Sequence, residues 1–136
     1  MLSYKHGYHA GNQADVLKHI CLIQAYKSLK RHHKSISYID THAGSGDYNF
    51  KSEYMSKNKE YENGIRKIEN YKYENQSIKF YLKVLRNINN SKKMTFYPGS
   101  PSIMSHLSDS SDKLLFYELH NNEVKLLRRH LAKQIN

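Results

Sequence analysis

The sequence holds one cysteine, two prolines, six glycines and no tryptophan in 136 residues. A lone Cys21 can close no internal disulfide and can anchor no cysteine-rich zinc site. Set among apolar residues in a helical pattern, it reads as a small buried hydrophobe rather than a reactive thiol. Apolar runs extend only a few residues, far short of the roughly 20 that span a bilayer as a helix. The N-terminus, MLSYKHGYHAGN, lacks the apolar core of a signal peptide. These absences predict a soluble, cytoplasmic protein with no membrane partner. Acidic side chains are also scarce, 12 Asp and Glu against 22 Lys and Arg, which leaves a formal net charge of +10. Such an imbalance suits a polyanionic partner or a solvated basic face. The basic residues are spread along the chain instead of being gathered in one tail. Twelve tyrosines offer stacking surfaces for bases, although tyrosines also fill cores.

The length fits one domain. Asn12 is placed to cap a helix over residues 13–32, with Val16, Leu17, Ile20, Cys21, Gln24, Ala25 and Leu29 forming its inward stripe. Residues 35–40 (SISYID) alternate and are β-prone, which predicts a strand. Residues 41–47 (THAGSGD) form a small-residue loop directly after it. Residues 51–93 change character, being rich in Lys, Glu, Tyr and Asn with Gly64 as their only glycine. Tyr61, Ile65, Ile68 and Tyr71 have helical spacing, as do Ile78, Tyr81, Leu82, Leu85 and Ile88, which predicts an insert of two or three helices. A short strand at 94–97 (MTFY), a turn at Pro98–Pro101 leading into a short helix near 102–107, a buried-type strand at 114–119 (LLFYEL) and a helix at 121–133 complete the pattern. Strands alternating with helices predict an α/β fold with a parallel sheet. Residues 1–50 and 94–136 make the α/β part, and 51–93 a helical insert subdomain.

Two features carry chemistry in this arrangement. The loop Asp40-Thr41-His42-Ala43-Gly44-Ser45-Gly46 leaves the carboxyl end of a strand, where open α/β sheets bind their ligands. Its glycines permit close backbone approach to a ligand, although Gly-x-Gly alone also describes a tight turn. Glu118 ends the next strong strand. A carboxylate there can accept from both hydroxyls of a ribose, or it is merely an exposed strand-end acid. Dinucleotide folds place their acid about 20 residues after the glycines; here 72 positions separate Gly46 from Glu118, and the third glycine is missing. No Gly-Lys-Ser/Thr occurs, so a triphosphate-binding loop is unsupported. The segment from Tyr4 to Asn12 mixes aromatic, cationic and glycine residues before a helix, a composition that stacks on bases and pairs with phosphates or else is a mobile terminus. His6 and His9 have no neighbouring carboxylate or cysteine in sequence to complete a metal site, so none is predicted.

Four segments, MLSYKHGYHAGNQADVLKH, YIDTHAGSGDY, YPGSP and YELH, together resemble the 23S ribosomal RNA adenine N6-methyltransferase J family. The similarity runs from Met1 to about Arg129, with matching order and spacing. The resemblance implies a Rossmann-like S-adenosylmethionine-dependent methyltransferase fold with a small helical insert, acting on 23S rRNA. Carried over by motif, His19, His42, Ser100 and Glu118 contact S-adenosyl-L-methionine, joined by Lys18 and Gly44. Tyr4 touches the RNA, with His6 beside it.

The departure from the family is as informative as the match. Family members continue for about as many residues again, and that part carries an Asp-Pro-Pro-Tyr motif. The exocyclic amine of adenine is a poor nucleophile because its lone pair is delocalised into the ring. Enzymes of this kind place an acceptor carboxylate and a backbone carbonyl on the amine while an aromatic ring stacks the base. The only prolines here are Pro98 and Pro101, and no Asp-Pro-Pro-Tyr occurs. The expectation is a truncated fold with no catalytic residue of its own. It exposes an apolar strand edge and face, and a separate chain supplies the remainder. The alternative is a non-catalytic, basic RNA-binding remnant of such an enzyme.

Overall fold

The computed structural model describes residues 4–70, 72 and 74–134. Tyr71, assigned above to a helical stripe, and residues 1–3 of the N-terminal motif lie outside the described residues. A single 3-10 turn at His6–Tyr8 leads into α1 (Gln13–Lys30). Asn12 caps that helix, its side chain accepting from the Asp15 amide at 3.0 Å. The elements that follow are β1 (Ser37–Asp40), β2 (Asp47–Asn49), α2 (Glu53–Asn58), a 3-10 turn at Glu60–Asn63, α3 (Ile65–Glu69), α4 (Gln76–Asn89), β3 (Phe96–Pro98), α5 (Ser100–Leu107), β4 (Lys113–Phe116) and α6 (Asn121–Gln134). Among the described residues no helix is long and apolar enough to cross a membrane.

The strands form two pairs. β1 and β4 run parallel, with Ile39 opposite Leu115 and Asp40 opposite Phe116. Their carboxyl ends therefore open on the same side, which brings the 41–47 loop and the segment after β4 together. β2 and β3 pair antiparallel, with Tyr48 opposite Tyr97. The strand expected at 94–97 thus begins two residues later and joins this second pair rather than the parallel sheet. The reason lies in the glycine loop. Gly44 and Gly46 adopt φ of +64° and +85°, a left-handed backbone that reverses the chain and starts β2 where the sequence predicts only loop. The Gly99 amide then donates to the Gly46 carbonyl at 2.6 Å, tying the head of α5 to that reversal.

The apolar core lies between α1, α4, α5 and the β2–β3 pair, with Ile23, Ile65, Tyr81, Leu85, Tyr97 and Ile103 all fully buried. The inward stripe of α1 overlaps the predicted one at Val16 and Ile20, which pack half-buried against the core, and departs from it elsewhere. Asp15, His19, Ile23 and Tyr26 are buried, while Leu17 is 65% and Leu29 47% exposed. Cys21 is exposed as well, so it is not the buried hydrophobe expected. Hydrogen bonds made inward by Asp15 and His19 turn the helix by part of a turn and carry Leu17, Cys21 and Leu29 outward. The strand expected at 114–119 as buried-type ends at Phe116 and is only half-buried, with Leu119 74% and Tyr117 57% exposed. A sheet of two strands has little to cover its far face. Ile39 on β1 is likewise 56% exposed, which is the apolar face and edge anticipated from the sequence.

Candidate functional site

A cleft of about 470 Å³ opens at the carboxyl ends of β1 and β4. Its wall contains every candidate residue named from the sequence: Tyr4, His6, Lys18, His19, His42, Gly44, Ser100 and Glu118. They arrive from the N-terminal turn, α1, the β1 loop, the head of α5 and the end of β4. A second cleft of about 550 Å³ borders it across Tyr48 and Glu123, with Ile88, Phe96 and Leu126 in its wall. The first has the convergent polar groups that orient a small ligand.

The glycine turn and the acid meet directly. The Gly44 amide donates to Glu118 Oε2 at 2.8 Å. Gly44 must be glycine twice over: its φ is positive, and a Cβ there would overlap the Tyr48 hydroxyl. Glu118 Oε1 accepts from the amides of Leu119 at 2.7 Å and His120 at 2.8 Å, and from His120 Nδ1 at 2.9 Å. Burial alone lifts the Glu118 pKa, but the bonds from the His120 backbone and ring, Gly44 and Leu119 outweigh it and hold the carboxyl below its usual range. Glu118 is therefore a fixed anion. Three of these donors share Oε1 and only the Gly44 amide reaches Oε2, so among the described residues Oε2 keeps a lone pair for a ligand hydroxyl. His120 Nε2 is buried without a partner among the described residues, so that ring is incompletely satisfied where it stands.

Asp40, at the end of β1, fixes the opposite lip. Its Oδ2 accepts from Ser100 Oγ at 2.6 Å and from the Tyr38 hydroxyl at 3.0 Å, and its Oδ1 accepts from the His42 amide at 3.1 Å. The Ser100 hydroxyl proton is thereby committed to Asp40, which leaves the Ser100 oxygen as an acceptor. His42 is exposed on the rim, its Nδ1 2.9 Å from Thr41 Oγ1.

The third wall is organised by Asp15, whose side chain is 1% exposed. Its Oδ2 accepts from His6 Nε2 at 2.7 Å and from the Gly11 amide at 3.0 Å, and its Oδ1 pairs with Lys18 Nζ at 2.9 Å. Burial pushes the Asp15 pKa up, but the hydrogen bond and charge of His6, followed by His19 and Lys18, overcome this and hold it well below the usual carboxylate range. His6 Nε2 donates to this carboxylate, and its Nδ1 lies 2.9 Å from the Tyr4 hydroxyl. Tyr4 remains 60% exposed and stacks on His9, with ring centroids 5.6 Å apart and planes within 11°. One buried carboxylate thus sets an exposed aromatic ring and a lysine at the mouth of the cleft. His19 lies behind them, its Nδ1 2.7 Å from the Tyr97 hydroxyl. Burial depresses its pKa to about 4, leaving the ring neutral.

Sequence reasoning did not single out Asp15, Tyr97 or His120, and it treated Asp40 only as part of the glycine loop. Asp15 had a signal available, since Asn12-x-x-Asp15 has the form of a reciprocal helix cap. Tyr97 and His120 had none beyond their neighbourhood.

A family model described as Ribosomal RNA large subunit methyltransferase D, RlmJ, matches residues 33–136. The Ribosomal RNA large subunit methyltransferase J of Escherichia coli (strain K12) is 41% identical over 133 residues, which is 98% of this chain and 48% of that protein. Its namesake in Haemophilus influenzae (strain ATCC 51907 / DSM 11121 / KW20 / Rd) is 39% identical over 137 residues, 100% of this chain and 49% of that protein. A crystal structure of a protein from Legionella pneumophila str. Philadelphia 1 matches with a TM-score of 0.79 at 35% identity, over 89% of this chain and 44% of that one. The chain spans about half the length of the curated relatives it matches.

Proposed function

The chain belongs to the family described as Ribosomal RNA large subunit methyltransferase D, RlmJ, and we propose that it is the S-adenosylmethionine-binding part of an enzyme that methylates N6 of an adenine in 23S rRNA. In this reading the fold is the front half of a Rossmann-like methyltransferase domain, with residues 51–93 as a helical insert. The observation that carries it is the 2.8 Å bond between the Gly44 amide and Glu118. It puts a tight, side-chain-free backbone turn and a fixed anion in one cleft, the pair of features that an adenosine with its sugar requires.

The residues present fit the cofactor. Glu118 accepts from a ribose hydroxyl at Oε2, beside the Gly44 amide. Gly44, free of a Cβ, turns past the Tyr48 hydroxyl and aims its amide at Glu118. The Ser100 oxygen, His42 and His19 supply an acceptor and two ring nitrogens around the remainder of the ligand, and Lys18 supplies a cation at the mouth. When bound, S-adenosylmethionine supplies an electrophilic methyl group. Tyr4, exposed and braced by His6 and His9, is the stacking surface for an RNA base. The net charge of +10 supports phosphate contacts. Activation of the adenine amine is assigned to residues that this sequence does not contain, in keeping with the absence of Asp-Pro-Pro-Tyr.

Calorimetric titration with S-adenosylmethionine tests the proposal. Binding is expected for the wild type, weakened about 10- to 100-fold in Glu118→Ala through loss of charge-assisted hydrogen bonds. Equal affinities would remove Glu118 from the site. For RNA, affinity is expected to fall steeply between two salt concentrations, and salt-independent binding would end the phosphate-contact reading.

A further inference from the structure

Behind the cleft, His19 is backed by two buried tyrosines to which the proposed chemistry gives no part. The Tyr81 hydroxyl lies 3.1 Å from the Tyr97 hydroxyl, which lies 2.7 Å from His19 Nδ1. Both tyrosines are 0% exposed. The His19 and Tyr97 rings stack, with centroids 5.5 Å apart and planes at 20°. The distances alone do not say where the protons are, but the count of partners does. Tyr81 has no other hydrogen-bond partner for its hydroxyl among the described residues. If Tyr97 donated to Tyr81, the Tyr81 proton would point at nothing in a sealed core, an arrangement folded proteins avoid. Tyr81 therefore donates to Tyr97, and Tyr97 spends its own proton on His19 Nδ1. Nδ1 is then an acceptor, and in a neutral imidazole the remaining proton sits on Nε2. Nε2 makes no hydrogen bond among the described residues, and His19 lines the cleft.

We infer that Tyr97 is a positioning residue that locks His19 as a neutral Nε2–H donor, so that the ligand group it meets in the cleft is an oxygen or nitrogen acceptor. Only the name of that ligand rests on the function proposed above; the relay is a property of the empty protein. Tyr97 belongs to β3 and His19 to α1, so the proton order at the cleft is set where β3 meets α1, and Tyr81 on α4 serves as the second partner of the Tyr97 hydroxyl. A cationic centre such as a sulfonium is the wrong neighbour for Nε2–H, whereas a carboxylate oxygen or a ring nitrogen is the right one.

The test is the protonation pattern of the His19 ring, read by long-range proton–nitrogen NMR on the ligand-free chain near neutral pH, with the resonance assigned by its loss in His19→Gln. The wild type is expected to show a single neutral tautomer protonated at Nε2. In Tyr97→Phe, Nδ1 loses its donor and the ring is expected to populate both tautomers. Tyr81→Phe leaves Tyr97 free to donate and is expected to keep the wild-type pattern. Affinity for S-adenosylmethionine should fall about three- to tenfold in Tyr97→Phe and less than twofold in Tyr81→Phe. A wild-type ring protonated at Nδ1, or averaging between tautomers, would overturn the relay whether or not either variant folds. So would a tautomer unmoved by Tyr97→Phe. A correct tautomer in a protein that fails to bind S-adenosylmethionine would instead count against the proposed function and leave the relay standing.

Discussion

Helices α1 and α4 pack on each other, yet they bury opposite kinds of side chain. α4 turns Tyr81, Leu82, Val84 and Leu85 inward, an almost wholly apolar face. α1 turns in Asp15, His19, Ile23 and Tyr26, of which the first two are polar, while Leu17 and Leu29 face outward. Both are properly capped, α4 by Asn75, whose side chain accepts from the amides of Ser77 and Ile78. The difference lies in what each helix is for. Burying a carboxylate and an imidazole is unfavourable unless every polar atom finds a partner. The partners of Asp15 and His19 are the N-terminal segment, Lys18 and Tyr97. The inner face of α1 therefore holds parts of a site in place, and the inner face of α4 holds the fold.

The largest expected effect falls on α4. Leu85 is 0% exposed, and Leu85→Ala leaves a cavity in the centre of the core. It should cost roughly 2–5 kcal/mol of unfolding free energy, read as a shifted midpoint in urea, while the affinity of the folded molecules for S-adenosylmethionine stays within about twofold. A cost below about 1 kcal/mol would mean that α4 is peripheral, and the division of labour between the helices would be lost.

On α1 the matching change is Asp15→Asn. It preserves shape, but in place of a carboxylate that receives His6, Gly11 and Lys18 it sets an amide whose NH2 opposes those donors. About 1–3 kcal/mol should be lost near pH 7, and Tyr4 should be released from its position. The pH dependence carries a sign. The folded Asp15 pKa is depressed, because its partners outweigh its burial, so its stabilisation is fully present above the unfolded value of about 3.9. That stabilisation is lost as pH falls through that value toward the folded one. The gap in stability between wild type and Asp15→Asn should therefore shrink as pH falls below about 4. A gap that stays or widens there would mean that Asp15 is not the ionised anchor of the wall.

The same contrast explains what was legible in the sequence. The spacing of Ile78, Tyr81, Leu82, Leu85 and Ile88 marks the inner face of α4 almost as built, because periodicity arguments count apolar residues and α4 buries them. On α1 the same arithmetic selects Val16 and Ile20, which do pack on the core, together with Leu17, Cys21 and Ala25, which do not, since it scores Asp15 and His19 as outward-facing. The parallel pairing of β1 with β4 followed from the alternation of strands and helices. The reversal into β2 did not, because it depends on two left-handed glycines whose φ no hydropathy pattern records. The site shows the same division. The residues carried by the family resemblance converge on one cleft, while Asp15, Tyr97 and His120, which brace them, are polar or aromatic groups whose partners are distant in sequence.

The smallest expected effect is the sharpest check on the orientation of α1. If the polar stripe faces in, the apolar stripe beside it faces solvent. Leu17→Ser and Cys21→Ser should then each change stability by no more than about 0.5 kcal/mol, as surface substitutions do. Were the hydropathy pattern correct, removing a buried leucine side chain would cost several times as much. Cys21, exposed and with no second cysteine in the chain, provides a direct reading as well. In the folded protein it should react with a thiol reagent at the rate of a free cysteine in urea, because the reactive thiolate is governed by access and pKa. Protection that disappears only on unfolding would rotate α1 back to the hydrophobic register. Asp15 and His19 would then no longer face inward, and the cleft would lose the wall they form.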